Sequence, residues 1–284
     1  MPIIALAILL FSAGVHTTWN LLLKQSGDKY IATWWSTLLG AGVFLPFLLL
    51  TGLPAREIWP LLLLSGVVEA VYYIVLSTAY RDADFSLVYP LARGAAPALI
   101  AIWSLWLLQE KITTGGWLGL GLIVCGLLIV GGGNLFQHRR EKPHMRGVFL
   151  ALILAVTISI YSIIDGFAVK HTPPFSYAVM IFFLAPVFTS PFIFKRYGWN
   201  TLRVELTSHW IRILSIGLLI VCAYLLALAA YTIAPVSYVG SVREVSVVFG
   251  ALAGWRFLGE KLAGWRLAGS VVIFCGILVI AFLG

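Results

Sequence analysis

The sequence predicts an all-α integral membrane fold of ten transmembrane helices, built as two inverted five-helix repeats, and three observations predict it. Apolar residues make up 61% of the 284 positions and charged residues 11%, with a mean hydropathy of +1.00. Soluble domains carry about half apolar and about a quarter charged residues, so a water-soluble fold is excluded. The apolar residues fall into ten runs, each near the roughly 20 residues that a helix needs to cross a hydrocarbon core of about 30 Å. Finally, the two halves of the chain repeat the same residues at one spacing.

The ten runs lie near 3–23, 30–50, 60–80, 86–108, 116–134, 147–169, 175–194, 210–231, 234–257 and 263–283. The first is apolar from Pro2 and has neither a basic leader nor a small-residue cleavage site, so it reads as a retained helix. Pro90 and Pro97 fall inside the fourth run and are expected to loosen it, freeing backbone groups that protein, water or ligand must satisfy. Between the fifth and sixth runs lies the most polar stretch of the chain, Gln137-His138-Arg139-Arg140-Glu141-Lys142-Pro143-His144. It divides a first half, 1–136, from a second, 147–284, with 137–146 as the connection. Trp34, Trp35, Trp59, Trp117, Trp199, Trp210, Trp255 and Trp265 sit near predicted helix ends, where an interfacial belt is expected. Cys125, Cys222 and Cys275 lie inside apolar runs without metal-ligand spacing and are expected to serve as small packed hydrophobes.

Glu110-Lys111 recurs as Glu260-Lys261, Gly119 as Gly269, Cys125-Gly126 as Cys275-Gly276 and Arg93 as Arg243, all at one offset (243 − 93 = 150). Ala79-Tyr80 and Ala230-Tyr231 stand one residue further apart (230 − 79 = 151), which implies a slip inside the fourth or ninth helix. Pro46 with Pro191 and Lys24 with Lys170 extend the echo weakly to the first two helices of each half. Such duplication is the signature of a repeat architecture. Because five is odd, two tandem halves insert in opposite orientations, a plan shared by many secondary transporters that bind substrate near mid-membrane between the repeats.

Charged side chains at helix centres cost at least about 2.5–3.5 kcal/mol on insertion scales, so each one requires a reason. Glu69 falls midway along the third helix, Arg93 in the fourth, Asp165 toward the end of the sixth and Arg243-Glu244 in the middle of the ninth. Arg93 and Arg243 read as two cationic clamps related by the repeat, since a guanidinium stays charged and offers a planar fork to carboxylate or phosphate. The alternative is a structural ion pair with Glu69 or Glu244. Those two carboxylates read either as proton-coupling groups or as charge balance for the arginines. Asp165, nearer a helix end, reads as a partly solvated carboxylate. His16, Trp19 and Asn20 are three and four residues apart and share one helical face, expected to line a cavity. Tyr72, Tyr73, Tyr89, Tyr161, Tyr224 and Tyr238 offer ring faces and hydroxyls to a pathway, although each alone is more often packing; Tyr89 joins the candidate binding residues. The two Glu-Lys pairs end their helices and read as boundary charges.

The succession Pro97, Glu110, Lys111, Trp117, Gly119 and Gly126, repeated as Glu260, Lys261, Trp265, Gly269 and Gly276, resembles the EamA domain of the drug/metabolite transporter superfamily, twice over nearly the whole chain. Val247 stands where Pro97 stands, which is expected to remove a kink from the ninth helix. His16-Thr17-Thr18-Trp19-Asn20 followed by Lys24 also resembles a subgroup found with bacterial phosphonate-utilisation genes. The resemblance implies secondary transport of a metabolite without ATP hydrolysis and without a cofactor. Triose-phosphate translocators, distant relatives, carry basic residues on the equivalent fourth and ninth helices, which implies an anionic substrate such as a phosphonate, phosphorylated compound or amino acid.

The partners expected are a small-molecule substrate and the lipid bilayer of an inner, plasma-type membrane, with proton coupling or exchange, as a monomer or homodimer. The net charge of +8 does not point to nucleic acid, because the basic residues sit in short gaps between apolar runs. Export of amino acids or amines and flipping of a lipid-linked substrate remain within transport. An intramembrane enzyme is disfavoured, as no His-Glu-x-x-His, nucleophile elbow or Cys/His cluster is present. The odd-numbered connections hold Lys24, Lys29, Arg81, Arg139, Arg140, Lys142, Arg146, Lys195, Arg196, Arg203, Arg212, Arg256, Lys261 and Arg266, the even-numbered ones only Arg56, Lys111 and Lys170. This bias places both termini outside, whereas ten-helix relatives usually keep both in the cytoplasm.

Overall fold

The computed structural model describes residues 1–82, 85–137, 145–250, 252 and 264–284, and those residues are helical apart from short connections. Helix α1 (Ile3–Lys24) ends as the chain turns polar at Gln25 and Ser26. Asp28 then caps α2 (Lys29–Phe44), its carboxylate accepting from the backbone N–H groups of Tyr30 and Ile31 at 2.9 and 3.2 Å. Pro46 tightens the end of α2 into a 3-10 turn, Leu45–Phe47, followed by one helical turn, Leu48–Thr51. Gly52, at φ +78°, stops it in a conformation open to glycine. Helices α3 (Trp59–Asp82) and α4 (Phe85–Leu107) follow. Helix α5 (Thr114–Gln137) is capped by Thr113, whose hydroxyl accepts from the Gly116 N–H at 2.9 Å. The second half comprises α6 (Met145–Ala168), α7 (Pro174–Arg196), α8 (Trp199–Ile233), α9 (Val236–Arg243) and α10 (Gly264–Leu283).

Six of the described helical stretches are long and apolar enough to cross a membrane, and Leu91–Leu107, Thr114–Ile129 and Leu267–Leu283 are shorter apolar helices. The outer surface agrees with that reading. Ile3, Phe11, Leu49, Trp106, Phe149 and Phe282 are all exposed, a distribution that suits lipid and not water.

Exchanging α1–α5 with α6–α10 preserves the principal contacts. Helix α1 packs on α8 and α9 as α6 packs on α3 and α4, and α2 packs on α8 as α7 packs on α3. The pairs that map onto themselves run antiparallel: in α2·α7, Phe44 meets Phe175 and Tyr30 meets Phe192. In α5·α10, a Cβ on Gly119 would lie 2.8 Å from the Gly276 carbonyl oxygen, and one on Gly126 would lie 2.7 Å from that of Gly269. Since Gly269 and Gly276 stand 150 residues after Gly119 and Gly126, each contact is the mirror of the other, as a two-fold axis across the helices requires. Glycine is needed at these positions because the backbones touch, the small-residue packing typical of helices in lipid.

Three expectations change. Helix α8 starts at Trp199, eleven residues before the expected 210 (210 − 199 = 11), and bends at His209 (φ −131°, ψ 22°). The stretch before the bend carries Arg203, Glu205 and Thr207 and is too polar to be found by an apolar run. Trp34 and Trp35 are buried, not interfacial: the Trp34 indole donates to the Pro186 carbonyl and Ser190 hydroxyl, each at 3.1 Å, and that of Trp35 to the Leu202 carbonyl at 2.9 Å. Trp117, Trp199 and Trp210 are exposed as expected, while Trp255 lies outside the described residues. The three cysteines are exposed on the apolar outer face; lipid contact satisfies a thiol as well as core packing does, so the sequence could not separate the two.

Candidate functional site

Helix α9 runs from Val236 only to Arg243, then turns at Glu244 (φ −71°, ψ −5°) before helical structure resumes at Ser246. The prolines led to the expectation of a loosened fourth helix and of a ninth with a kink removed, with a one-residue slip in either. Helix α4 instead continues through both prolines, and the break falls in a segment without proline. Tertiary polar partners hold the turn: the Glu244 carboxylate meets Arg93, and the Ser246 carbonyl accepts from the Thr17 hydroxyl at 3.1 Å. The break therefore sits where α1, α4 and α9 meet.

Arg93 is buried and committed. One guanidinium nitrogen donates to both Glu244 carboxylate oxygens, at 3.0 and 3.4 Å, and the other lies 2.6 Å from His16 Nε2. Glu244 is thus the ion-pair partner that the sequence left open between Glu69 and Glu244. On the other side of the ring, the Trp19 indole N–H points at His16 Nδ1 from 3.2 Å. A neutral imidazole has one lone-pair nitrogen and an imidazolium none, so two permanent donors facing both nitrogens cannot both be satisfied. The shorter, charge-assisted contact to Arg93 takes the lone pair, which leaves the Trp19 N–H ill-matched and the ring neutral. Asn20 donates to the His16 carbonyl at 2.9 Å and accepts from the Tyr80 hydroxyl at 3.5 Å. His16, Trp19 and Asn20 share one face, of which His16 and Trp19, but not Asn20, line the central cavity.

Arg243 differs from its repeat mate. Among the described residues it meets no carboxylate within ion-pair distance. Its guanidinium is 3.4 Å from the Tyr231 hydroxyl and 5.3 Å from the centroid of the Tyr224 ring. It lines a cavity of about 300 Å³ together with His16, Trp19, Glu69, Tyr72, Tyr73, Tyr161, Phe182, Ile220 and Tyr224. Arg93 lies instead on a neighbouring cleft across Tyr72. The two arginines therefore do not converge on one cavity in this structure. Glu69 is 2% exposed and accepts no hydrogen bond from a described residue. Asp165 is not partly solvated as expected but 0% exposed, accepting from the hydroxyls of Tyr177, at 2.7 Å, and Tyr224.

A second cleft of about 260 Å³, lined by Tyr30, Thr33, Thr37, Tyr73, Ser77 and Thr189 among others, shares Tyr73 with the central cavity and leads toward the ends of α2, α3 and α7. At the opposite end Glu110 does more than mark a boundary. Its carboxylate accepts from the Val236 and Ser237 N–H groups, at 2.6 and 3.1 Å, and from the Ser237 hydroxyl at 2.9 Å, capping α9 from the other half of the chain. Lys170 stands 4.0 Å away. Glu260 and Lys261 lie outside the described residues, as does the side chain of Tyr89. Tyr238 is not in the cavity; its hydroxyl accepts from the Thr113 N–H at 3.3 Å. Among the described residues no group of three or more His, Cys, Asp or Glu is placed to hold a metal ion.

Phe182, Ile220, Tyr177 and Tyr231 escaped the sequence reading. For Tyr231 a signal was present: Tyr80 and Tyr231 are repeat mates, and each directs its hydroxyl at a buried polar side chain, Asn20 and Arg243 respectively. The other three lie in apolar runs with nothing to distinguish them.

The family model of the EamA-like transporters matches residues 1–132 and 145–282. A crystal structure described only as that of a protein superimposes with a TM-score of 0.77 at 18% identity, covering 98% of this chain and 97% of that one, which is a likeness of fold alone. No curated protein matches the sequence.

Proposed function

We propose, as the chain belongs to the EamA-like transporter family of membrane proteins that move small molecules, that it is a secondary transporter carrying a small polar metabolite with an anionic group across an inner membrane by alternating access. The observation that carries this reading is Arg243, a buried guanidinium without a carboxylate partner among the described residues, on the wall of a cavity at the contact of the two halves. An uncompensated charge in a low-dielectric site is costly, and a bound anion offsets that cost.

In this reading all ten helices span the bilayer as two inverted repeats, 1–136 and 147–284 joined by 137–146, which rock about the central site. Arg243 binds the anionic group, with His16, Trp19 and Asn20 as one wall and Tyr89 on α4 as a further contact. Arg93 holds Glu244 while the site is empty and exchanges it for substrate during the cycle. Glu69, with Glu244 and Asp165, balances charge and couples transport to protons. The polar cleft from Tyr30 to Tyr73 supports an access route between α2, α3 and α7, and the Glu110 cap supports closure at the other end.

Purified protein in liposomes preloaded with a candidate solute provides the test. Saturable counterflow of labelled carboxylates, phosphonates or phosphate esters without ATP is expected. Uptake that never saturates, or chemical conversion of the solute without a gradient, overturns the proposal.

A further inference from the structure

We infer that the ligand of the central cavity is a small zwitterion, its anionic group on Arg243 and its ammonium group on Glu69 within the ring of aromatic side chains. The inference rests on the transport reading above and narrows its substrate.

The charges in and around the cavity sort into those already compensated and those that are not. Arg93 has Glu244, and Asp165 has the Tyr177 and Tyr224 hydroxyls. Two groups able to carry opposite charge, a guanidinium and a carboxyl, remain on the wall of the same cavity. Among the described residues Arg243, 9% exposed, touches a neutral hydroxyl and a ring face. Glu69, 2% exposed, accepts no hydrogen bond and forms no ion pair with a described residue. A simple anion entering here neutralises Arg243 and sets a second negative charge near Glu69. A simple cation does the converse. Only a ligand carrying both signs compensates both groups.

The walls favour the same ligand. Tyr73, Tyr72, Tyr161, Tyr224 and Phe182 form a continuous arc of edge-to-face rings, with centroids 5.2, 5.8, 6.0 and 5.3 Å apart in that order. Aromatic faces are electron-rich and attract ammonium groups; Tyr224 already faces Arg243, so the rings of Tyr73, Tyr72 and Tyr161 add to Glu69 at the cationic end, while Trp19 and Ile220 supply apolar contact. Short ω-amino acids and aminoalkylphosphonates carry both charges on one short spacer and are the simplest ligands of this kind.

The experiment compares matched solutes that differ in one charge at a time. Binding of β-alanine, propionate and propylamine, and of the three corresponding phosphonate-series compounds (aminoethylphosphonate, ethylphosphonate and ethylamine), is measured on the purified full chain as displacement in scintillation proximity. In one of the two series the zwitterion is expected to bind at least about tenfold tighter than its anion and its cation, the size of one charge-assisted contact. Glu69→Gln is expected to erase the advantage over the anion, Glu69→Asp to retain part of it, and Arg243→Gln to erase the advantage over the cation. Because each variant is read as a ratio between solutes on the same monodisperse protein, a general loss of folding does not imitate the result. Equal or tighter binding of the anion or the cation in both series, a ratio unmoved by Glu69→Gln, or no binding by any of these compounds overturns the inference. Counterflow of anions with no preference for the zwitterion refutes this inference and leaves transport standing; absence of counterflow for every solute refutes transport itself.

Discussion

Arg93 and Arg243 occupy equivalent places in the repeat, yet their surroundings assign them different consequences on substitution. Arg93 is one half of a buried, hydrogen-bonded ion pair, and removing one partner of such a pair costs about 3–5 kcal/mol because the other charge stays behind. Glu244→Ala is therefore expected to lower the thermal stability of the detergent-solubilised protein sharply. Arg93→Lys, which keeps the charge but loses the fork that reaches Glu244 and His16 together, should also destabilise, by a smaller amount. Arg243→Lys breaks no ion pair with a described residue, so melting should stay near that of the unaltered chain while apparent affinity for substrate falls. Equal melting losses at the two arginines, with affinity unchanged at Arg243, contradict this division. That both arginines need a polar setting inside the helices was legible in the sequence, since a charge inside an apolar run needs a reason. Which one was already satisfied was not, because the partner is decided by how α1, α4 and α9 cross.

The outermost helices of each half were the most legible elements, and the ninth was the least. Gly119, Gly126, Gly269 and Gly276 betray α5 and α10 through their spacing, and the structure uses them where the two backbones touch. Gly119→Ala or Gly276→Ala is expected to push α5 and α10 apart and reduce the yield of monodisperse protein, while Gly121→Ala, with open space around its Cβ position, should be neutral. The turn after Arg243 carries no proline or glycine and follows from side chains of other helices, which single-chain periodicity does not contain. The cap on α9 is of the same kind. Glu110→Ala should cost about 0.5–2 kcal/mol in melting experiments, the range of a lost N-cap, and should raise the labelling rate of a cysteine placed at Ser237 by an impermeant reagent. Glu110→Gln keeps an acceptor and is expected to lie between. At the other end, the Tyr197 hydroxyl donates to the α2 cap residue Asp28 at 2.5 Å. Burial and that bond push the phenol up from 10.0 to about 12. A group whose proton is held more tightly in the folded state stabilises fully below its unfolded value, so the contribution is retained up to about pH 10 and lost as pH rises toward about 12. Tyr197→Phe should remove about 1 kcal/mol at neutral pH, and a loss of stability between pH 10 and 12 that is identical in both proteins would show the bond to be unimportant.

Across the whole molecule, charge is divided between the two ends, and the division makes a prediction about orientation. The N-terminus lies 3.5 and 3.4 Å from the carbonyls of Ile280 and Ala281, and Thr113 donates to the Leu283 carbonyl at 2.9 Å. Both termini thus share one end with Glu110 and Lys170. The other end gathers cations from four helices. Arg81 and Arg196 stack on Tyr30, Arg146 pairs with Asp82, and Arg212 donates to the Gln25 carbonyl. The even-numbered connections contribute only Arg56, Lys111 and Lys170 to the end that holds the termini. Lys and Arg near the ends of membrane helices resist translocation, so the basic end is predicted to face the cytoplasm and both termini to face away from it. The resemblance to ten-helix relatives implied the opposite, and nothing in the neighbour relations of the two halves selects between them, because an inverted pair has the same internal contacts in either orientation. Alkaline phosphatase fused after Gly284 should therefore be active, and a green fluorescent protein fused there should stay dark, with the two reporters reversed when inserted in the connection 137–146. Fluorescence from the C-terminal fusion refutes the prediction. Appending a cluster of lysines after Gly284 sets charge against charge at the two ends, and is expected to produce a mixed population in which C-terminal phosphatase activity falls as C-terminal fluorescence rises.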